Sequence, residues 1–434
     1  MKACIYTLGC RVNQYESDAI MQELKKYGAE IVPPTEPCDV CIINTCSVTA
    51  ESDRKSKQII RRLITKHPNA TVIVTGCYSQ INPKDAAQID GVSLICGNND
   101  KSIIAKKAFE LYVSKAASCQ LIMSDINSGI FDVMSVGAPL TRTRAFIKIQ
   151  DGCNSKCAYC IIPYARGGVR SNSIENILRE ATNIVNEGCA EIVFTGIETA
   201  AYGKDTNNRH SLGDLLIEAN KIQGLRRIRL GSLDPSAITS ELIDKLKNLD
   251  KIMPHFHISM QSGCTKTLNE MKRKYNIDMA KKSLQKLRLA FPNLMLSADV
   301  ITGFPGETEE DFLQTLDFFK EEKFLHLHIF PYSKRAGTPA AEMKCQVPDA
   351  VKKERLHRLE RLQAEIKNEL LYSFVEINDT VEVLFESFDG EYILGHTPNF
   401  IEVKAISNCS RSGEFITVKP THTDGEFVFG EIIL

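Results

Sequence analysis

The stretch from Cys153 to Cys160 reads C-N-S-K-C-A-Y-C and constrains this chain more than any other. Its three cysteines, at x3 and x2 spacing, lie in a polar loop just after an apolar segment, Ala145 to Gln150. Thiolates this close can hold three irons of a four-iron cubane, and such clusters usually take four cysteines. The fourth iron is then left to a distant protein ligand or to a small molecule. Zinc is the competing reading, but structural zinc sites reach four ligands with a second cysteine pair or with histidine, and neither lies nearby. Chance burial of small hydrophobic thiols suits Cys189, Cys264, Cys345 and Cys409 better than a glycine-containing loop with Lys156.

At 434 residues and 43% apolar composition the chain has room for two or three ordinary cores. No run of 18 apolar residues occurs, so no membrane span is expected. Met1 to Thr7 lacks the charged-then-apolar pattern of a signal peptide, which makes the cytoplasm the expected location. In a reducing compartment fifteen cysteines point to metal or redox chemistry rather than to a disulfide framework. The net charge of −1 suggests no polyanionic partner, but the distribution is uneven. From Arg142 to Arg170 six basic residues (Arg142, Arg144, Lys148, Lys156, Arg166, Arg170) stand against Asp151 alone. From Glu270 to Arg288 seven stand against two acids, which a solvated helix face explains as well as a nucleic-acid contact does.

Strand-like runs at Ala3–Leu8, Val40–Ile43, Thr71–Thr75 and Val92–Ile95 alternate with helical patterns at Glu16–Lys26 and Arg54–Lys66, which predicts a small parallel α/β domain. The first three strands run into Cys10, Cys46 and Cys77. Strands of an open parallel sheet end on one edge, where ligands bind, so these cysteines are expected to converge as a second three-thiolate site. Gly9 and Gly76 would allow tight turns beside it. Three unrelated buried cysteines remain the alternative, since Cys4, Cys38, Cys41 and Cys96 show that this domain carries others. A helix is expected at Lys101–Lys115, closing a first domain at 1–115, with a linker over 116–143.

Residues 144–371 alternate strand and helix six times, with strands at Ala145–Ile149, Glu191–Thr195, Arg226–Leu230, His255–Ser259, Met295–Ile301 and Leu325–Phe330. Six such units predict a partial (β/α)6 barrel whose site gathers at the strands' carboxyl ends. Residues 372–434 change to five short strands with Asp-Gly and Ser-Gly turns, the pattern of a small β-barrel. That segment carries eleven acids against three Lys/Arg, which disfavours phosphate attraction. Any RNA contact there would need shape or stacking, for example by Tyr392, Phe400 or Phe415, although such aromatics are more often core.

C-x3-C-x2-C resembles the signature of the radical S-adenosylmethionine (SAM) superfamily, whose open iron chelates the SAM amino and carboxylate groups. The resemblance assigns Cys153, Cys157 and Cys160 as ligands of one 4Fe–4S cluster. T-G-I-E, containing Thr195, Gly196 and Glu198, resembles the motif that meets the SAM amino group. Ser232 stands where a ribose contact is expected, S-M-Q-S-G supplies Gln261 at the fourth strand end, and D-V-I-T-G-F-P-G-E-T, beginning at Asp299, resembles the segment that approaches the adenine. Tyr159 takes the usual place of a residue packed near that base. Arg166 and Arg170 are read as a clamp for a phosphate or the SAM carboxylate, or as a surface ion pair.

T-L-G-C-R-V-N-Q-Y-E (Thr7–Glu16), I-N-T-C-S-V-T (Ile43–Thr49) and V-T-G-C-Y-S-Q (Val74–Gln80) resemble the first domain of the methylthiotransferases, in which such cysteines bind an auxiliary 4Fe–4S cluster. F-P-Y-S-K-R-A-G-T-P-A-A (Phe330–Ala341) resembles the same family, and Asp389–Val403 resembles the TRAM domain of tRNA-modifying enzymes. The resemblance covers nearly the whole chain. It implies two 4Fe–4S clusters, SAM, the tRNA anticodon stem-loop as partner, and an electron donor such as flavodoxin or ferredoxin, with no DNA and no membrane. No catalytic side chain beyond the cluster ligands is singled out. Within the family the sequence is most like the branch that methylthiolates C2 of N6-threonylcarbamoyladenosine. The alternatives are the branches acting on isopentenyladenosine and on a ribosomal-protein aspartate, and, furthest off, a nonenzymatic zinc- or RNA-binding protein.

Overall fold

The computed structural model describes residues 1–115, 118–138, 143–205 and 210–433. Pro139 of the expected linker and Arg142 of the basic stretch lie outside the described residues. The first domain is a six-stranded parallel sheet in the order Glu30–Ile31, Lys2–Thr7, Val40–Thr45, Thr71–Gly76, Val92–Cys96, Gln120–Ile122. The last strand comes from the segment expected to be a linker. Its short Q-L-I run shows no alternation, and only pairing with Leu94–Cys96 makes it a strand. The same segment then packs inward. Asp132 accepts from the Lys101 and Ser102 backbone N–H groups, and Met134 and Val136 are buried.

Helix Arg11–Lys26 begins at Cys10, which is extended and offers no side-chain cap. Its apolar Val12, Tyr15, Ala19, Ile20 and Leu24 recur at helical spacing and are buried. That face joins a core continuous with the barrel (Ala145, Ile147, Ile177, Ala181), so the two domains share one apolar interior. Helix Ala50–Lys66 is capped by Thr49, whose hydroxyl accepts from Ser52 N, and covers the other face of the sheet.

The barrel is open. Strands Arg144–Lys148, Glu191–Thr195 and Arg227–Leu230 form one parallel set, and His255–Gln261, Met295–Thr302 and His326–Pro331 a second. Two single bridges, Ile228–Ile252 and Leu233–Ile258, join them. Helix Asp349–Ile377 lies against the last strand and leads into a closed five-stranded barrel, Val381–Phe388, Tyr392–His396, Glu402–Ile406, Val428–Ile432 and Phe415–Thr423 in spatial order. This small barrel docks at the amino-terminal ends of the large barrel's strands. There Arg227 donates to His396 O (3.0 Å), Arg229 donates to Pro398 O and Thr397 O (2.9 and 3.0 Å), and Arg144 pairs with Glu386.

Glu180 joins the shared core to the packed segment. It accepts from Val136 N (2.7 Å) and from the Tyr15 hydroxyl (3.1 Å). Burial pushes its carboxyl up to about 7 from the ordinary 4.5, against these hydrogen bonds. Between those values the folded state holds a proton that the unfolded state has lost, so stability falls as pH rises through the window. Glu180→Gln is expected to flatten the fall of the denaturation midpoint between about pH 4.5 and pH 7, measured by urea titration at several pH values.

Candidate active site

The cysteine loop leaves the first barrel strand through Gly152, whose φ is +73°. A Cβ there would stand 1.9 Å from Gly168 O, so only glycine fits. The loop is then tied down by Cys153 N to Gly167 O (3.0 Å), Ala158 N to Met271 O (3.0 Å) and Cys160 N to Cys157 O (3.2 Å). All three thiols are half-buried. Burial, with the Glu198 carboxylate adding to it, pushes the Cys153 thiol up to about 12. Burial pushes Cys160 up to about 11. Thiols held this way ionise at neutral pH only against a strong cation such as a metal. Neither cysteine triad brings its three sulfurs all within 4.8 Å of one another. A single zinc with 2.3 Å bonds would need sulfurs roughly 4 Å apart, closer than either triad holds all three of its own.

Around this loop the strand ends bring part of the expected set together. Thr195 ends its strand, buried, in register with Lys148. Gly196 has no room for a Cβ, which would meet Gln150 Oε1 at 2.8 Å. Glu198 takes its N–H to the same oxygen, and its carboxylate accepts from Cys153 Sγ (3.1 Å) and the Ser155 hydroxyl (3.4 Å). Tyr159 packs with Ala158, Met271, Phe304 and Tyr332, which joins the G-F-P and F-P-Y segments to the loop. Ser232 is half-buried just past the third strand. Gln261 ends the fourth strand at a bulge with φ +62°. Asp299 lies three residues before the end of the fifth strand, Met295–Thr302, and binds His257 Nε2 at 3.1 Å. A cavity of about 300 Å³ deeper in the barrel is lined by Arg11, His255, His257, His328, His396 and Phe400 and contains none of the cysteines.

Arg273 is a site residue that the sequence concealed inside a basic run. Nη1 donates to Cys157 Sγ (3.3 Å), and Nη2 donates to Asp234 (2.7 Å) and Ser259 O (2.9 Å).

Cys10, Cys46 and Cys77 follow the three adjacent strands Lys2–Thr7, Val40–Thr45 and Thr71–Gly76. Neighbouring strands lie about 4.8 Å apart, so the three thiols share one carboxyl edge. Gly9 and Gly76 have φ near +100°. A Cβ on Gly9 would meet Cys46 Sγ at 3.2 Å, and one on Gly76 would meet Thr45 O at 2.4 Å. Cys46 and Cys77 are buried. Cys10 is exposed. Burial, then the neighbouring Cys77, pushes Cys46 up to about 11.

The two edges face each other through three sets of contacts. Asn98, from the turn after the strand Val92–Cys96, donates to Cys77 Sγ (3.8 Å) and to Ala165 O (2.7 Å) in the helix after the barrel's cysteine loop. Arg335 donates to Asp53 (2.7 Å) and Ser47 (2.8 Å), beside Cys46. Arg166 donates to Asn13 (2.6 Å), beside Cys10, and to Glu16 and Asp151. Arg166 is fully buried, as are Glu16, Lys101 and Lys148, which complete the network. Burial alone would raise the Glu16 carboxyl, but Arg166, Lys101 and Lys148 hold it well below the ordinary range.

This network corrects two expectations. Arg166 and Arg170 are neither an anion clamp nor a surface pair. Arg170 donates to Ile126 O, Arg166 O and Gly168 O and holds the loop's exit. Of the basic residues at 142–170, Arg144, Lys148, Arg166 and Arg170 all have acidic partners, while Lys156 is exposed. Phe400 and Phe415 lie against Arg229 and Arg226 in the contact between barrels and are not free stacking platforms. Cys345 and Cys409 are exposed rather than buried.

Comparison with known proteins agrees with the geometry. The Radical SAM superfamily matches residues 147–319, and the Uncharacterized protein family UPF0004 matches residues 2–97. The threonylcarbamoyladenosine tRNA methylthiotransferase MtaB of Bacillus subtilis is 39% identical, over 98% of this chain and 95% of its own length. The chain belongs to the radical SAM methylthiotransferases. Its MtaB relative from Aquifex aeolicus is 35% identical over 93% of the chain and 96% of that protein. A tRNA-2-methylthio-N(6)-dimethylallyladenosine synthase from Alkaliphilus oremlandii is 33% identical over the whole chain and 93% of that protein. In fold, the chain is similar to the radical SAM methyltransferase TsrM from Kitasatospora setae, at a TM-score of 0.59 over 78% of this chain and 75% of that one, with 14% identity. An enzyme of this family works with a 4Fe–4S cluster and SAM. Among the described residues no helix is long and apolar enough to cross a membrane.

Proposed function

We propose that this methylthiotransferase acts in the cytoplasm on N6-threonylcarbamoyladenosine next to the anticodon of tRNA, placing a methylthio group on C2. The observation that carries the reading is the 39% identity, over nearly both full lengths, to a protein with that printed activity. Cys153, Cys157 and Cys160 would hold one 4Fe–4S cluster, and Cys10, Cys46 and Cys77 a second. With SAM bound, the clusters supply the one-electron and sulfur chemistry that side-chain acids and bases cannot bring to an aromatic C–H.

The protein's part is binding and alignment. Glu198, beside Cys153, would take the SAM amino group, and Thr195, Gly196, Ser232, Gln261, Asp299 and Tyr159 would form the rest of the SAM surface. Arg273 would hold the Cys157 sulfur in position through Nη1. Asn98, Arg166 and Arg335 keep the two cysteine edges together, and a nucleobase would have to enter between them. The acidic small barrel, TRAM-like in pattern, would hold its own position by its contacts with Arg144, Arg227 and Arg229 more than it would attract phosphate. Flavodoxin or ferredoxin would serve as electron donor.

Nucleoside mass spectrometry of tRNA from cells with and without the gene tests the substrate. Loss of the methylthio form of threonylcarbamoyladenosine, with its precursor accumulating, is expected. Loss of the methylthio group from isopentenyladenosine instead would overturn the substrate while keeping the chemistry. In the purified enzyme, Cys46→Ala is expected to keep SAM cleavage to 5′-deoxyadenosine and to end methylthio transfer. Product formed by that variant would sink the role given to the first-domain triad.

A further inference from the structure

A second group of cysteines lies toward the opposite, amino-terminal edge of the same sheet. Cys4 and Cys41 are direct neighbours in the parallel ladder, so their side chains share a face. That face is covered by Ile59, Ile60 and Leu63 of helix Ala50–Lys66. Cys38 enters from the turn before its strand, with its Sγ 3.3 Å from Cys4 Sγ. His67 closes the carboxyl end of the covering helix. One of its ring nitrogens lies with the Cys4 and Cys38 sulfurs inside a mutual 4.8 Å, and no other trio of metal-ligating side chains among the described residues is as close. Cys41, the ladder neighbour of Cys4, belongs to the same buried cluster beneath the covering helix. Cys4 and Cys41 are wholly buried, and His67 is 5% exposed.

We propose that Cys4, Cys38, Cys41 and His67 bind one structural zinc ion. Three sulfurs and one imidazole nitrogen make a donor set that zinc takes in tetrahedral structural sites. The 3.3 Å between sulfurs is far beyond a disulfide bond of about 2.0 Å. It approaches the roughly 3.8 Å between two thiolates on one zinc with 2.3 Å bonds. His67 Nε2 is 3.2 Å from Pro34 O, and a carbonyl can only accept, so the proton belongs on Nε2. Nδ1 keeps its lone pair for a metal, with the backbone carbonyl as the outer partner that orients such ligands. The ion would pin the end of helix Ala50–Lys66 to the strands that lead to Cys10 and Cys46. The start of that helix meets Ser333 through Ala50 N, so the site would brace the domain contact from its far side. The mutual 4.8 Å of the Cys4, Cys38 and His67 donor atoms also separates the site from the two other cysteine triads.

Elemental analysis of the purified holoenzyme tests this, with zinc and iron measured together. About one zinc per chain is expected, falling by about tenfold or more in Cys38→Ser and in His67→Gln with iron unchanged. Cys345→Ser, at an exposed thiol, should keep its zinc. Cobalt(II) added to chelator-stripped wild type should give a thiolate-to-metal charge-transfer band, so the inference stays testable if the variants fail to fold. No zinc and no cobalt band in the wild type would overturn it. So would zinc retained in both variants, or a Cys4–Cys38 disulfide found in protein alkylated at lysis. These readouts need no tRNA, so they stand or fall apart from the substrate assignment.

Discussion

Cys157→Ala is expected to bring SAM cleavage to background. Its thiol is one of three in a loop whose backbone is fastened at Gly167 and Met271, and Arg273 is aimed at its sulfur from 3.3 Å. Two remaining thiols cannot hold a cubane that already uses one ligand fewer than the usual four. Arg273 would also lose a partner while Asp234 and Ser259 O keep it in place, so the gap is not closed by a collapse of the guanidinium. The fall in 5′-deoxyadenosine formation should be at least about 1,000-fold, equivalent to about 4 kcal/mol of lost transition-state stabilisation. Anaerobic chromatography of SAM products, with iron determined on the same sample, checks it. A variant with wild-type iron and wild-type cleavage would remove Cys157 from the cluster.

Glu16→Gln should be the most destabilising conservative change in the first domain. Glu16 is fully buried and faces Lys101, Lys148 and Arg166. Removing its charge leaves Lys148 and Arg166 with Asp151 as their carboxylate and Lys101 with the neutral Asn44 Oδ1 at 3.3 Å. Breaking a buried pair from one side costs about 3–5 kcal/mol, because the partner charge stays desolvated. Denaturant titration should therefore show a loss of that size. Lys148→Met on the same background should return part of it, since removing both members of a buried pair costs less than removing one. The acid limb gives an independent readout. The Glu16 carboxyl is depressed in the folded state, so its contribution is present above about 4.5 and is lost as pH falls toward its lower folded value. Glu16→Gln should lack that part of the acid sensitivity. An additive double variant with an unchanged acid limb would mean that the network adds nothing to stability.

The first-domain residues of this network had a signal that strand logic alone did not use. Asn13 and Glu16 lie within T-L-G-C-R-V-N-Q-Y-E, the stretch that carries the family likeness. Asn98 follows a strand end as Cys10, Cys46 and Cys77 do. Arg273 had no such signal. It lies among Lys272 and Lys274, and only the return of the chain toward Cys157 separates it from a solvated charge. Gln120–Ile122 is similar, because three residues carry too little pattern to distinguish an edge strand from a connection.

Local chemistry in the chain itself determined the cysteine loop, the three strand-end cysteines, the six barrel strands and the five short strands after the long helix. Each rests on spacing, alternation or a turn residue within a few positions, and a sequence carries such information directly. Tertiary structure alone decided which way the charges point. Lys148 and Arg166 face inward because Glu16, more than a hundred residues away, is folded against them. Phe400 and Phe415 meet arginines of another domain for the same reason. Desolvating a charge is so unfavourable that it must find a partner, and which partner depends on where distant segments meet.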